Sequence, residues 1–422
     1  MRTLYDFILY LYHSLIGLSA FLGNPKAKLW IQGRKNWEEK IATVLSNAGK
    51  KRIWFHCASL GEFEQGRPLI EKIKANDPSI FIILSFFSPS GFELRKNYPM
   101  ADLVCYLPID TKNNAKKFLS LISPSYIVFI KYEFWFHYFE EAKRNKIPLF
   151  IVSVIFRRRQ IFFKWYGTFY RNILKNVTHF FVQDGNSAKL LSGLKFNNVT
   201  ISGDTRFDRV YSIKLEENKI PLIERFKQNT NLFIAGSTWI EDEKIILPSL
   251  NLLKLNNFKF IIAPHEVNEN RIKELITNLS KYFSPSEIIC YSSKTNPEKA
   301  KILIIDNIGI LSSAYRYGSI VWIGGGFGKG IHNILEAAVF GMPVIFGPNY
   351  KKFNEAEELI SKGAAFTVRN SDQLTKVLTG IVNNEQKLKE CALISSQYIK
   401  SKVGATEKII SKLSDLIKYI KH

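Results

Sequence analysis

Two stretches carry residue types and spacings that could do chemistry. The first is His56-Cys57-Ala58-Ser59-Leu60-Gly61-Glu62-Phe63-Glu64, directly after a short apolar run at residues 53–55. Small residues followed by a carboxylate at a strand exit let a substrate hydroxyl come close and give up its proton. The same S-x-x-E spacing is a helix capping box, so Ser59 and Glu62 fit either a general base or a cap. The second stretch, residues 319–348, reads SIVWIGGGFGKGIHNILEAAVFGMPVIFGP. An apolar run at 320–323 breaks into Gly324, Gly325, Gly326, Phe327, Gly328, Lys329 and Gly330, and a helix is expected over 333–340, ended by Gly341 with Pro343 beyond it. Glycines without Cβ would let a phosphate approach the backbone, and N–H groups at the helix start favour an anion. Glu336, expected one turn into that helix, could accept from a ribose diol. This reads as a nucleotide site, with a glycine-rich packing turn as the plain alternative, since neither the dinucleotide fingerprint nor a Walker loop is present.

Lesser candidates follow other apolar runs. Gly236-Ser237-Thr238 suits phosphate or base contacts, and Pro264-His265-Glu266 offers a ligand donor or a mere turn residue. Arg157-Arg158-Arg159 could address phosphates or form a solvated face, and Arg206, in the segment 202–208, is expected to face a cleft.

The elements that must position these residues show a βαβ rhythm. Apolar runs at 53–55, 80–84, 127–130, 149–154 and 180–182 alternate with amphipathic segments at 66–75, 90–96, 112–121 and 134–143. A weaker, polar stretch at 206–230 intervenes. A second series of runs then lies at 232–235, 258–263, 302–305, 320–323 and 344–346. The expected fold class is α/β, with two Rossmann-like domains and a cleft between them. In such sheets ligands bind beyond the carboxyl ends of the strands, where all the candidates lie. The expected bounds are an N-terminal membrane anchor over 1–23, one domain over 24–210, a hinge at 211–230 and a second domain over 231–422, whose last helix packs back on the first.

The chain has 422 residues, enough for two full cores, and 46% hydrophobic content excludes a disordered chain. Its four cysteines, Cys57, Cys105, Cys290 and Cys391, lie far apart without CxxC spacing, so neither a zinc knuckle nor a disulfide framework is indicated and a reducing compartment is expected. A formal charge of +22 predicts attraction to a polyanion: nucleic acid, an anionic membrane or a phosphorylated substrate. Residues 3–23 are almost wholly apolar or aromatic apart from Asp6 and His13, and about twenty helical residues reach roughly 30 Å, enough to cross a hydrocarbon core. Lys26, Lys28, Arg34 and Lys35 behind the segment argue for a cytoplasmic body. An A-x-A-like site is missing, which disfavours a cleaved signal peptide, while Tyr5, Tyr10 and Tyr12 also allow a helix lying in the interface.

Taken in order, these pieces resemble the 3-deoxy-D-manno-octulosonic acid (Kdo) transferases of Gram-negative bacteria, inverting GT-B glycosyltransferases of lipopolysaccharide assembly. The resemblance covers nearly the whole chain: the anchor with Gly33-Arg34, the HCASLGE segment, residues 106–110 (YLPID), Glu133-Phe134-Trp135, residues 203–208, residues 235–238 (AGST) and the glycine-rich stretch with its GMPVIFGP end. It implies a cytidine-monophosphate-activated donor, CMP-Kdo, and a lipid A precursor, lipid IVA, as acceptor at the cytoplasmic face of the inner membrane. By the same resemblance Glu62 matches the general base. Gly236, Ser237, Pro264, His265, Gly326, Phe327, Gly328, Lys329, Gly330, Asn333 and Glu336 match the donor side, and Ser59, Gly61, Glu133 and Arg157 fall on the acceptor side. Departures are Tyr132 and Phe136, where the family usually has Thr and Pro, and the run 153–157, where it usually has Asn-Ala-Arg; all bear on acceptor choice.

The chemistry is coherent without the family. A single displacement needs one base for the acceptor hydroxyl and N–H groups or cations for the leaving phosphate. Cytidine monophosphate leaves as a monoester, with no pyrophosphate to bridge, so no metal and no cofactor is expected, and no Asp-x-Asp motif is seen. The alternative is a membrane-associated GT-B enzyme using a uridine-diphospho sugar. A nucleic-acid-binding protein finds no helix-turn-helix, RNP-like or zinc signature, and no nucleic-acid partner is expected.

Overall fold

Parallel strands buried on both faces need continuous apolar runs, and the chain supplies them in two sets. The structure, a computed structural model, describes residues 1–46, 49, 51–216, 218–293 and 295–420. It divides into two compact units, Met1–Arg209 with Val403–His422, and Val210–Lys402. The first unit is built on β1 (Arg52–Cys57), β2 (Phe81–Phe86), β3 (Leu103–Tyr106), β4 (Tyr126–Ile130), β5 (Leu149–Val154), β6 (His179–Val182) and β7 (Val199–Ile201). Their order is β3-β2-β1-β4-β5-β6-β7, with every pairing parallel. The second holds β8 (Asn231–Thr238), β9 (Phe258–Pro264), β10 (Ile288–Cys290), β11 (Ile302–Ile304), β12 (Ile320–Ile323), β13 (Val344–Phe346) and β14 (Ala365–Thr367), ordered β10-β11-β9-β8-β12-β13-β14 and again all parallel. In each sheet the strand order reverses once, between β1 and β4 and between β8 and β12, and a crevice beyond the strand ends opens at such a reversal.

Helices cover both faces of the first sheet. Leu60–Asn76 packs Phe63, Leu69 and Ile70 on one face, and Lys112–Ile122 and Phe136–Arg144 pack Phe118, Tyr138 and Phe139 on the other. The first of these starts at Leu60, well before the expected residue 66, so Glu62 sits in its first turn instead of a loop. The expected hinge is also more ordered than its polar sequence suggests. It takes in the end of the helix Thr205–Leu215 and the whole of the helix Pro221–Lys227, with position 217 outside the described residues.

Two long helices belong to the first unit from the chain's two ends. The helix Ala405–Ile420 is held at its start by Asp208, whose carboxylate accepts from Gly404 N at 2.6 Å and from Thr406 N and Oγ1 at 2.7 Å. Its Ile409 and Leu413 join the core formed by Ile53, Leu69 and Ile70. At the other end, Arg2–Phe21 is, among the described residues, the one helix long and apolar enough to cross a membrane. It does not stand free. Tyr5 Oη donates to the buried Asp110 carboxylate at 2.5 Å, Asp6 meets His137 Nε2 at 2.6 Å, and His13 lies 5.9 Å from Trp30, ring to ring. Asp110 also accepts from His137 N and Tyr138 N, so one carboxylate caps the helix Phe136–Arg144 and anchors the N-terminal one.

Candidate functional site

Neighbouring strands at the first reversal bring two carboxylates together. β1 runs into Ser59 and Glu62, β4 runs into Lys131 and Glu133, and β1 and β4 pair directly, His56 opposite Phe129. Glu62 Oε2 accepts from Ser59 N at 3.0 Å, so the capping contact exists. Burial first, and then the negative charge of Glu133, push the Glu62 carboxyl up to about 7, against the opposing pull of Lys131 and the Ser59 and Ala58 amides. A carboxylate near 7 is matched to taking a proton at neutral pH. Cap and base are therefore compatible in one residue.

Glu133 faces a second partner that sequence reasoning did not single out. His56 is fully buried, and its Nε2 lies 3.9 Å from Glu133 Oε2 without a hydrogen bond. Its Nδ1 is 2.8 Å from Ser85 Oγ, which also accepts from Trp54 Nε1 at 2.7 Å. Burial holds the imidazole below its ordinary pKa. Lys131, beside these groups, adopts a left-handed backbone (φ 63), strained for a non-glycine residue. Gly61 is exposed, with open space where a Cβ would stand.

The second reversal gathers the donor-side candidates. Gly236 and Ser237 lie near the end of β8, β9 ends at Pro264 with His265 just beyond it, and β12 enters the glycine loop. Most of those glycines are needed by the protein itself. A Cβ on Gly236 would fall 1.8 Å from Tyr315 Oη, on Gly324 2.1 Å from Ser237 O, and on Gly326 2.6 Å from Gly347 N. Close packing therefore requires glycine at these three, whereas Gly328, with nothing nearer than Gly325 O at 3.7 Å, has room for a Cβ. Asp242 fixes the loop by accepting from Gly325 N and Trp239 N, both at 2.9 Å. Ser237 is left-handed (φ 53) at the point where the β8–β9 register shifts.

The expected helix over 333–340 is only one turn, Leu335–Ala338, because Asn333 Oδ1 takes the Leu335 amide and Gly341 (φ 77) turns the chain into β13. Glu336 is thus the second residue of that turn, not one turn in, and it accepts from Asn333 Nδ2 at 2.9 Å. So short a helix has little macrodipole, which removes that part of the anion argument. Phe327 stacks on Trp322 (centroids 6.3 Å apart), and Lys329 is exposed. His265, in contrast, is no bare turn residue. Trp239, His265 and His332 stack in sequence, with centroid separations of 4.6 and 4.4 Å, and Trp239 Nε1 donates to His332 Nε2 at 3.2 Å. Burial and then His265 lower His332 to about 4, so it stays neutral and can accept.

With this geometry in place, residues 35–209 match the family described as 3-deoxy-D-manno-octulosonic-acid transferase (kdotransferase). That match, with the relatives that follow, supports a place in the Kdo transferase family. The chain is 28% identical over 344 residues to the 3-deoxy-D-manno-octulosonic acid transferase of Rickettsia prowazekii, covering 80% of this chain and 73% of the relative. To that of Chlamydophila psittaci it is 29% identical over 352 residues, covering 79% and 78%. Its fold is similar to a UDP-GlcNAc 2-epimerase from Neisseria meningitidis solved with UDP-GlcNAc, at a TM-score of 0.62, 16% identity and coverage of 86% of this chain and all of that one. The protein is a glycosyltransferase of α/β, GT-B type.

Some of the expected residues are engaged by close neighbours of their own. Arg206, expected to face a cleft, is taken up by Asp204 at 2.7–2.8 Å, because that buried carboxylate needs a counter-charge. Arg157 is half-buried and offers its amide to Gln160 Oε1, while Arg158 and Arg159 are exposed. Among the described residues no group of three or more His, Cys, Asp or Glu could hold a metal ion. Trp239 and Asp242 were missed. An aromatic two residues past Ser237, at a strand exit, was the available signal for Trp239; Asp242 reads in sequence as an ordinary first-turn acid.

Proposed function

We propose that the protein transfers Kdo with inversion from CMP-Kdo to lipid IVA, at the cytoplasmic face of the inner membrane, and that Glu62 is the general base. The observation that carries this reading is a half-buried carboxyl held near 7 at the β1–β4 reversal, in a chain that matches the Kdo transferase family. The acceptor hydroxyl gives its proton to Glu62 as its oxygen attacks the anomeric carbon, and the phosphate of cytidine monophosphate departs with the bonding electrons. A single displacement of this kind inverts the centre. Ser59, Gly61, Glu133 and Arg157 line the acceptor side. Gly236, Ser237, Pro264, His265, Gly326, Phe327, Gly328, Lys329, Gly330, Asn333 and Glu336 serve the donor, with the stack through Trp239 and His332 as a platform for the base. The direct test is mass spectrometry of the detergent-solubilised protein supplied with CMP-Kdo and lipid IVA, beside Glu62→Gln. A product heavier by Kdo, with turnover about 10²–10⁴-fold lower in the variant, is expected. Product from a uridine-diphospho sugar instead would overturn the donor assignment, and undiminished turnover in Glu62→Gln would remove the base.

A further inference from the structure

The N-terminal helix Arg2–Phe21 has two different faces along its whole length. Tyr5, Asp6, Leu9, Ile16, Gly17 and Ala20 recur at helical spacing and are turned to the body, where Tyr5 and Asp6 bond Asp110 and His137. Leu4, Ile8, Leu11, Leu15, Leu18 and Phe21 form the opposite stripe, all exposed, Phe21 at 87%. The helix has a single acidic residue, Asp6, and it is spent on His137, so the outer face carries no negative charge.

A second exposed aromatic element lies near the start of this helix. Phe169 packs 5.8 Å from Tyr5 and 5.0 Å from Phe136, next to a loop that presents Trp165, 89% exposed, and Tyr166. That loop is held firmly: Arg171 donates to the Lys164, Phe162 and Trp165 carbonyls and to Thr168 Oγ1. An indole held outward on a fixed loop beside a bare aliphatic stripe is the pattern of an aromatic interface anchor. Lys164, Arg158, Arg159, Lys26 and Lys28 supply cations along the two segments.

A helix bonded to the globular body in its first turn, at Tyr5 and Asp6, and packed further along through Tyr12 on Trp30 and Phe87, would have to give up these contacts to cross a bilayer. We propose that this helix lies in the plane of an anionic lipid surface, and that its outer stripe and the Trp165 loop together form one membrane-embedded face. The bonds through Asp6 and Tyr5 fix the helix to the body, so the body is held at a set height above the lipid. The proposal is independent of which sugar or acceptor is used.

Depth measurement separates the possibilities. Spin labels are placed at Leu4→Cys, Leu11→Cys or Leu18→Cys in a Cys290→Ser background, the other cysteines being buried, and the full chain is bound to vesicles of phosphatidylethanolamine and phosphatidylglycerol. All three labels are expected at one shallow depth, within about 5–10 Å of the headgroup boundary. A spanning helix would instead separate Leu4 from Leu18 by about 20 Å in depth, with Leu11 deepest in the hydrocarbon, and would overturn the proposal. Labels left in water would overturn it too, with a dimer on sizing assigning the stripe to a second copy. Trp165→Ala is expected to weaken vesicle partitioning about tenfold without changing the melt; unchanged partitioning would exclude the loop from the face.

Discussion

Burial and the charge of Glu133 act in the same direction on Glu62, and both consequences can be measured. Because the ionised form is the base, kcat/KM should rise with pH through about 7. Glu133→Gln removes a negative charge that raises this pKa, so the acid limb should move to lower pH by about one unit; a limb that stays in place would assign it to another group. The same shift has a stability sign. A carboxyl raised from 4.5 to about 7 binds more protons folded than unfolded, so its stabilising contribution is full below 4.5 and is lost as pH rises through 7. Glu62→Gln keeps an acceptor for the Ser59 amide and carries no charge, so above pH 7 it should melt higher than the parent, by no more than about 3 kcal/mol, the difference closing toward pH 4.5. A variant that loses turnover and gains stability would be hard to explain if Glu62 were only a cap. The pairing of His56 with Glu133, by contrast, was not legible, since β4 delivers Glu133 from far along the chain and only the β1–β4 pairing brings the two together.

At the scale of elements, the strands that sequence reasoning missed are instructive. β3 and β7 are the two edges of the first sheet, and β10 and β14 the two edges of the second. Each is three or four residues long and only partly buried, so none has the continuous apolar run that marked the ten inner strands. The sheet interior was legible because burial on both faces writes itself into sequence; an edge is specified by its neighbour's free hydrogen bonds, which leave no pattern of their own. The roles of the individual loop glycines were not legible, because a glycine that avoids its own backbone is indistinguishable in sequence from one that admits a ligand. Substitution separates them. Gly324→Ala and Gly326→Ala would press a Cβ against the Ser237 and Gly347 backbones, which cannot yield as a side chain can, and each should cost about 3 kcal/mol or more by thermal melting. Gly328→Ala meets only an ordinary contact with Gly325 O and should melt normally, raising KM for the donor if the loop touches it. Equal melting of all three would refute the distinction.

On the scale of the whole molecule, the excess of positive charge and the apolar N-terminal helix make separable contributions to membrane attachment. The +22 charge acts at a distance on an anionic surface, at roughly 1 kcal/mol per lysine or arginine close to it, and salt screens it within about 10 Å at 0.1 M. The apolar stripe acts only on contact and is barely affected by moderate salt. Binding to phosphatidylglycerol-containing vesicles should therefore fall as salt is raised and then level off, and the plateau should match the salt-independent binding to purely zwitterionic vesicles. Co-sedimentation across a salt series checks this. Complete release by salt would mean that charge alone holds the protein and the exposed stripe is not buried in lipid; no salt dependence would mean that the basic excess faces elsewhere. Removing residues 2–21 should abolish the plateau and also lower the melting temperature, because the buried Asp110 carboxylate loses the Tyr5 hydroxyl and His137 loses Asp6. A simple spanning tether would be removed without that second effect.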